Sequence, residues 1–297
     1  MNNIKRNIIF DEASHTYRDE HNIKYTSVTT LIGQYQVPFD SNYWAEVKAK
    51  ELNLTKEQVL QNWADITKFA CDKGNATHKV LEDSINASND NANLNVETNS
   101  FQRIYKGINV LSNQEIDIKL LGTSPLAYKY PEIFLTLLDY VENHGCKIYA
   151  EKRIYWAEYQ IAGTIDCLLV KGKQFLIVDW KTNKDELVFK SGYFKKVNGI
   201  KSNTWVDKDE RLLVPLTNIQ KSKGSTYTLQ LSLYALLMEL WGFECIGLLL
   251  YHIRDNDKPK LYRIAYWKQD CQRLLIHHKN ALTISNNNQS SMTFGIS

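Results

Sequence analysis

The feature that most constrains this chain is a change of period between Lys147 and Trp180, where Val, Ile, Tyr and Phe recur at alternate positions. Alternation suits strands, and three are predicted, at about 148–157, 161–170 and 174–181. The last two flank Lys171-Gly172-Lys173-Gln174, with glycine at the first central position of a two-residue type II′ turn. Such a turn fixes the register. Lys171 then faces Gln174, and five steps back along each strand set Asp166 opposite Asp179. Opposed side chains on one face have Cβ atoms roughly 4.5–5.5 Å apart, so the two carboxylates are predicted to converge. Lys181, two residues beyond Asp179, shares its face by strand alternation.

Paired carboxylates beside a lysine have two readings. One is an ion-pair cluster on a sheet face. The other is an oxygen-ligand site for Mg²⁺ or Mn²⁺, which take carboxylates together with substrate phosphate. Gly163, three residues before Asp166, would then let a bulky ligand approach the strand. A metal held there can polarise a phosphodiester and lower the pKa of a bound water, with the lysine positioning that water or neutralising charge on the phosphate.

Around this stretch the chain reads as a mixture of strands and helices. Ile8-Ile9-Phe10 and Tyr25 to Thr30 are predicted strands, separated by a polar turn at Asp19 to Asn22. Thr55 and Gln58 form a capping-box pattern ahead of Val59, Trp63, Ile66, Phe69 and Ala70 at helical spacing. That helix is expected to end near Gly74, with a separate one carrying His78 to Ile85. Residues 86–100 read as an exposed polar loop, and Pro131 to Asn143 as a helix. An irregular basic segment, 184–224, precedes an amphipathic helix from Tyr227 to Leu240 that Gly242 can terminate. Strands at Cys245 to Ile253 and Lys260 to Trp267, a helix at about 269–284 and a frayed tail complete the reading.

Composition narrows the class without naming a partner. The 297 residues suit one large or two small domains, and 36 Lys+Arg against 33 Asp+Glu leave a net charge of +3. Five separated cysteines with no C-x-x-C pair argue against a disulfide framework or a zinc ribbon. Asp11 interrupts the opening before a secretory apolar stretch develops, and no run approaches the ~18 apolar residues of a membrane span, so a reducing cytoplasmic setting and no membrane partner are expected. The absence of G-x-x-x-x-G-K-[ST] leaves an intrinsic ATP motor without support.

Three further groups have chemistry to offer. His78 follows Gly74 at four residues, and Glu82 lies one helical turn beyond it on the same face. The imidazole suits Mn²⁺, although a surface or capping histidine is the alternative, as a surface charge is for Glu82. Gln230 and Tyr234 share a helix face beside a leucine stripe and could reach the sheet edge, or simply line a boundary helix. Glu151 is a further acidic candidate whose face depends on the Glu158-Tyr159-Gln160 connection.

The order Gly74…His78, Gly163…Asp166, Asp179-Trp180-Lys181 and Gln230…Tyr234 resembles the PD-(D/E)XK nuclease superfamily, in its RecB-like exonuclease branch. The likeness spans about residues 70–250. The opening (His15, Tyr17, Ser27 to Ile32 and Pro38-Phe39-Asp40) is similar to phage-encoded members. Ile165 stands in place of the family's proline, and Asp179 where some members have Glu.

The resemblance implies an α/β fold with a restriction-endonuclease-like core, a mixed central sheet flanked by helices. It implies a single nuclease domain over 1–297, with N-terminal strands and helices to residue 70, a catalytic core at 71–253, a strand and helix at 254–284 and a tail from 285. Asp166 and Asp179 would bind the metal with His78. Lys181 would activate water or stabilise the transition state, and Gln230 and Tyr234 would orient Lys181 or touch the DNA backbone. The activity implied is a metal-dependent exodeoxyribonuclease of phage-type recombination, repair or genome processing, with an annealing or helicase protein as a possible partner. A non-catalytic nucleic-acid-binding component, a junction resolvase or another endonuclease, and an RNA-directed nuclease are the alternatives. Some branch members hold an iron–sulfur cluster. Here Cys71 precedes His78, but only Cys245 and Cys271 follow the Gln230 helix, so no cluster is expected.

The 184–224 segment carries nine basic residues against five acidic ones, interleaved with Phe189, Tyr193, Phe194 and Trp205. That mixture can track phosphates and stack on unpaired bases, and DNA contact is expected there over a merely solvated loop.

Overall fold

The computed structural model describes residues 6–11, 14, 16–89, 103–106, 115–197 and 200–293. His15, most of the 86–100 segment and the chain beyond 293 lie outside the described residues.

The fold is α/β, with a mixed sheet flanked by helices. Its centre is the stretch singled out by period two: β5 (Lys147–Trp156), β6 (Ile161–Lys171) and β7 (Gln174–Lys181). Gly172 takes φ 59° and Lys173 is not among the positive-φ residues, as a II′ turn requires, and the β6–β7 ladder runs from Lys171↔Gln174 to Cys167↔Val178. On the far edge β10 (Glu244–His252) pairs in parallel with β7, and β11 (Lys260–Arg263) closes that side. The remaining strands of this sheet are β1 (Asn7–Asp11), β2 (Thr16–Arg18), β3 (Lys24–Ser27) and β4 (Arg103–Lys106). The order is β11-β10-β7-β6-β3-β2-β1-β4, with β5 on the other edge of β6.

The β6 strand is forked. Its C-terminal half pairs with β7, while Ile161 and Ala162 pair in parallel with Thr26 and Ser27 of β3. Residues 163–166 face neither strand on that edge. This gap holds the polar residues described below.

Helices cover both faces. On one lie α1 (Val28–Gln34), α7 (Lys223–Leu240) and α8 (Lys268–Thr293), whose apolar residues join Tyr149, Ile161, Ile165, Leu168 and Phe175 in one cluster. On the other lie α3 (Lys56–Ala87), α4 (Ile118–Gly122), α5 (Pro125–Lys129) and α6 (Pro131–Glu142), packed on Cys167, Leu169, Val178 and Trp180, while α2 (Ser41–Leu52) packs on α3 through Ala45, Ala49 and Val59. None of the described helices is long and apolar enough to cross a membrane.

Several local expectations are corrected. Val28-Thr29-Thr30 is β-branched, yet Ser27 accepts a hydrogen bond from Thr30 N and caps α1, so the strand stops at Ser27. The Thr55/Gln58 capping box does open α3, but that helix runs 32 residues through Gly74, and the division drawn at residue 71 falls inside it. A Cβ at Gly74 would stand 3.2 Å from Thr182 Oγ1, so this glycine marks a close approach of helix to sheet instead of a stop. The basic segment contains a two-stranded ribbon, β8 (Gly192–Val197) with β9 (Ile200–Asp207). The α7 helix is buried nearly all round from Gly224 to Met238, which makes it a core helix and not an amphipathic one. The last helix continues to Thr293, beyond the expected end at 284.

Candidate metal site

Asp166 sits between two strands that each bring it a carboxylate. On one side Ala150↔Cys167 and Lys152↔Ile165 bracket it, which sets Glu151 opposite. On the other, the ladder ends one step short at Cys167↔Val178, and Asp166 Oδ2 accepts a hydrogen bond from Trp180 N at 3.1 Å. The register deduced from the turn is therefore the one observed, but the last rung is replaced by a side-chain bond to the backbone.

The regular pleat breaks at this row. On β6, Ile161 and Ile165 join the α7-side cluster, and so do Leu168 and Val170, which are out of phase with the first pair. On β5, Tyr149 lies in that cluster and so do Ile154 and Trp156, again out of phase. The switch on β5 coincides with Glu151, whose φ is 47°. A left-handed non-glycine residue inside a strand costs of order 1–3 kcal/mol, strain that clusters where the surrounding structure over-determines a site.

The consequence is a division of the acidic residues into two groups. His78, from α3, brings Nδ1 to 3.7 Å from Asp166 Oδ1 and 3.9 Å from Glu151 Oε1. One ligand atom from each of the three lies within 4.8 Å of the others. The ring is fixed by its second nitrogen, Nε2, 3.1 Å from Trp180 O, and by an edge-to-face contact with the Trp180 ring at 6.4 Å. Asp179, by contrast, is 1% exposed and held by Lys181. The ammonium donates to Oδ1 at 3.0 Å and lies 2.8 Å from Oδ2, a contact without hydrogen-bond geometry, so Oδ2 remains a buried acceptor with no hydrogen-bond partner.

Electrostatics follow from burial. Desolvation raises the pKa of Asp166 against the pull of His78 and Lys181, and raises that of Asp179 to about 7 against Lys181. Burial alone would depress His78, but Asp166 and Glu151 outweigh it and push it up to about 9. Lys181 is likewise opposed by burial and raised by Asp179 and Asp166, so it keeps its proton.

The donor set fits a divalent cation. Two carboxylates and an imidazole converge, and the protonated His78 that offsets both carboxylates in the metal-free chain would give up its proton to a cation bound there. The residues brought together are His78, Glu151 and Asp166. The sequence grouped Asp179 with His78 and Asp166 instead, and left the face of Glu151 open. Glu82 is outside the ligand group and accepts from Asn86 Nδ2 at 3.5 Å.

Gln230 and Tyr234 face the fork. Gln230 Nε2 donates to the Tyr234 hydroxyl at 3.3 Å, and burial raises the phenol well above its ordinary value, so it stays protonated. No described hydrogen bond joins either to Lys181. The space over Gly163 belongs to Tyr234, since a Cβ there would stand 2.5 Å from Cε1 of the ring. That glycine accommodates a tyrosine, not an incoming ligand as expected. The α7 residue that does touch Lys181 is Tyr227, whose ring centroid is 5.2 Å from Nζ and whose hydroxyl donates to Asn183 Oδ1 at 2.6 Å. Its signal in the sequence was helical spacing, because Tyr227, Gln230 and Tyr234 lie at i, i+3 and i+7.

No family model and no curated protein matches the chain. Among solved structures, the crystal structure of SSO0001 is similar at 15% identity, over 56% of this chain and 65% of that one, with a TM-score of 0.25. The chain thus spans a little under two thirds of that protein's length.

Proposed function

We propose that this protein is a Mg²⁺- or Mn²⁺-dependent deoxyribonuclease of the PD-(D/E)XK type, acting on DNA as an exonuclease. The observation that carries the reading is the row of Glu151, Asp166 and Asp179 across three adjacent strands, with His78 closing it on one side and Lys181 on the other. A structural ion-pair cluster would neutralise its carboxylates with basic side chains. Among the described residues this one sets three carboxylates against two basic side chains, His78 and Lys181, and holds Glu151 in strained backbone, which a salt bridge does not require.

His78, Glu151 and Asp166 would hold the ion, with Asp179 Oδ2 beside them. When bound, Mg²⁺ or Mn²⁺ supplies the Lewis acidity that polarises a phosphodiester and makes water nucleophilic at neutral pH. The chain's own residues do the rest. Lys181 carries a fixed positive charge, which suits it to neutralise charge gathering on the phosphate and not to remove a proton. Asp179 and the Tyr227 ring hold that ammonium from two sides. Tyr234, protonated and wedged over Gly163, fills the fork and keeps bulk water from the carboxylates. Exonuclease action, a phage-type role in recombination or repair, and an annealing or helicase partner come from the family likeness.

The test incubates purified protein with end-labelled linear and circular DNA in Mg²⁺, Mn²⁺ or EDTA, beside Asp179→Ala and Lys181→Ala. Wild type should degrade linear DNA only when metal is present, and each variant should lose about 10²–10³-fold in rate. Cleavage that survives EDTA, or survives in both variants, excludes the mechanism. Binding without cleavage of any nucleic acid would replace it with a non-catalytic role.

A further inference from the structure

A cavity of about 320 Å³ opens where the β8–β9 ribbon meets the start of α7. Its walls come from three parts of the chain: Gln36 after α1, Tyr193 and Lys208 at the base of the ribbon, and Lys221, Lys223 and Thr226 at the helix. Three lysines line it against one carboxylate, Glu210. That single carboxylate is shared, lying 3.6 Å from Lys208 and 3.9 Å from Lys221, while Lys223 has no ion pair among the described residues. The cavity therefore carries an excess of two positive charges in a concave setting, where low-dielectric walls concentrate the field and favour an anion.

The helix end itself does not provide the anion site. Gly224 N donates to Val188 O at 2.9 Å, Ser225 N to Ser222 Oγ at 3.0 Å and Thr226 N to Ser222 O at 3.0 Å, so those amides are occupied. The lysine side chains are what remains. Tyr193 adds a ring that is 50% exposed at the wall, with the Lys208 ammonium 5.6 Å from its centroid. The volume is at the lower end of small-ligand sites, roughly 300–1,000 Å³, too large for a lone ion and too small for a folded partner.

Position completes the argument. Thr226 is one residue from Tyr227, which contacts Lys181, and eight residues from Tyr234, which fills the fork. At ~1.5 Å per residue the cavity end of α7 stands about 12 Å from Tyr234 along the axis. That is a few nucleotides of strand, given a backbone charge roughly every 3.4 Å of axis.

We propose that this cavity is a second nucleotide subsite, in which Lys208, Lys221 and Lys223 hold a phosphate of a single DNA strand and Tyr193 stacks on its unpaired base. It rests on the nuclease reading for its partner and adds the strand type. Stacking on Tyr193 requires a base whose face is free, which a duplex conceals. A free nucleotide offers the same phosphate and base, so the experiment separates the two sources.

Binding of fluorescein-labelled oligo(dT) to the full chain is measured in EDTA, where cleavage plays no part, at several salt concentrations. Lys223→Ala with Lys221→Ala and Lys208→Ala should weaken binding at least tenfold and make the log–log salt slope shallower by about 0.7 for each phosphate no longer neutralised. Tyr193→Leu should weaken it several-fold and leave the slope unchanged, whereas Tyr193→Phe should bind as wild type. Independently of any variant, acetylation followed by mass spectrometry should show these three lysines protected by oligo(dT) and not by dTMP. Equal protection by dTMP would make the cavity a free-nucleotide site and overturn the strand assignment. Unprotected lysines, or an unchanged slope in a folded triple variant, would overturn the subsite. Because no step depends on hydrolysis, the subsite can fail while the nuclease reading stands, and the reverse.

Discussion

Glu151 occupies a left-handed backbone position in the middle of a strand, opposite a second carboxylate. Glycine would relieve the backbone cost, but it would remove one of the three groups around the ligand position. A second close fit holds the opposite wall. Gly163→Ala drives a methyl group into the Tyr234 ring, and overpacking of this kind costs about 1–3 kcal/mol. Denaturant unfolding of Gly163→Ala, Tyr234→Leu and the double variant checks it: the pair should cost less than the sum of the singles. The titrating groups give a pH signature. Asp179 is raised from 3.8 to about 7 and His78 from 6.5 to about 9, so the folded chain holds both protons more tightly than the unfolded one. The Asp179 contribution is complete below 3.8 and fades as pH rises through about 7, and that of His78 is complete below 6.5 and fades through about 9. In EDTA, these two groups should therefore lower Tm between about pH 4 and pH 9, and His78→Gln should flatten the upper half of that decline.

At the scale of elements, α3 shows how far local rules reach. Its start was legible because Thr55 and Gln58 satisfy two end groups reciprocally, and Thr55→Ala should lower stability by about 1 kcal/mol, measurable as a shift in urea midpoint without a change in slope. Its continuation past Gly74 was not legible, because glycine's helix penalty of about 1 kcal/mol is outweighed by packing that only the tertiary structure contains. The β6–β7 hairpin was legible for the opposite reason: one turn residue dictates every rung. What the turn could not convey was the phase break at Asp166 and Glu151. Strict alternation put Asp166 with Asp179, and the structure puts it with His78 and Glu151. Ser27 to Thr30 misled because β-branched residues favour strands, whereas a serine cap decides the local outcome.

For the whole molecule, the candidate site draws His78, Glu151 and Asp166 from three different elements, so an ion bound there would tie α3 to two strands at once. A ligand that binds only the folded state stabilises it by RT ln(1 + [L]/Kd), about 2.7 kcal/mol at a hundredfold excess over Kd. Tm should climb with Mn²⁺ concentration in the wild type, and the climb should vanish in Asp166→Asn. Sequence order alone disclosed which elements carry the candidate residues, since their motifs are local. It could not disclose how they meet, because that depends on contacts across more than 70 residues, such as His78 with Glu151.

The fork in β6 bears on how the molecule comes apart. Among the described residues the strands β1 to β4 join the rest of the sheet through two residue pairs of β3, with α1, the Tyr17–Thr164 hydroxyl contact and a small cluster of Ile8, Tyr17 and Tyr25 on Tyr155 and Ala162 beside them, whereas β7 is gripped along its length by β10. Partial opening by amide exchange should release β1 to β3 before β6 and β7. The N-terminal wing then behaves as a separate cooperative unit hung on a short seam, and the carboxylate row belongs to the part of the protein that lets go last.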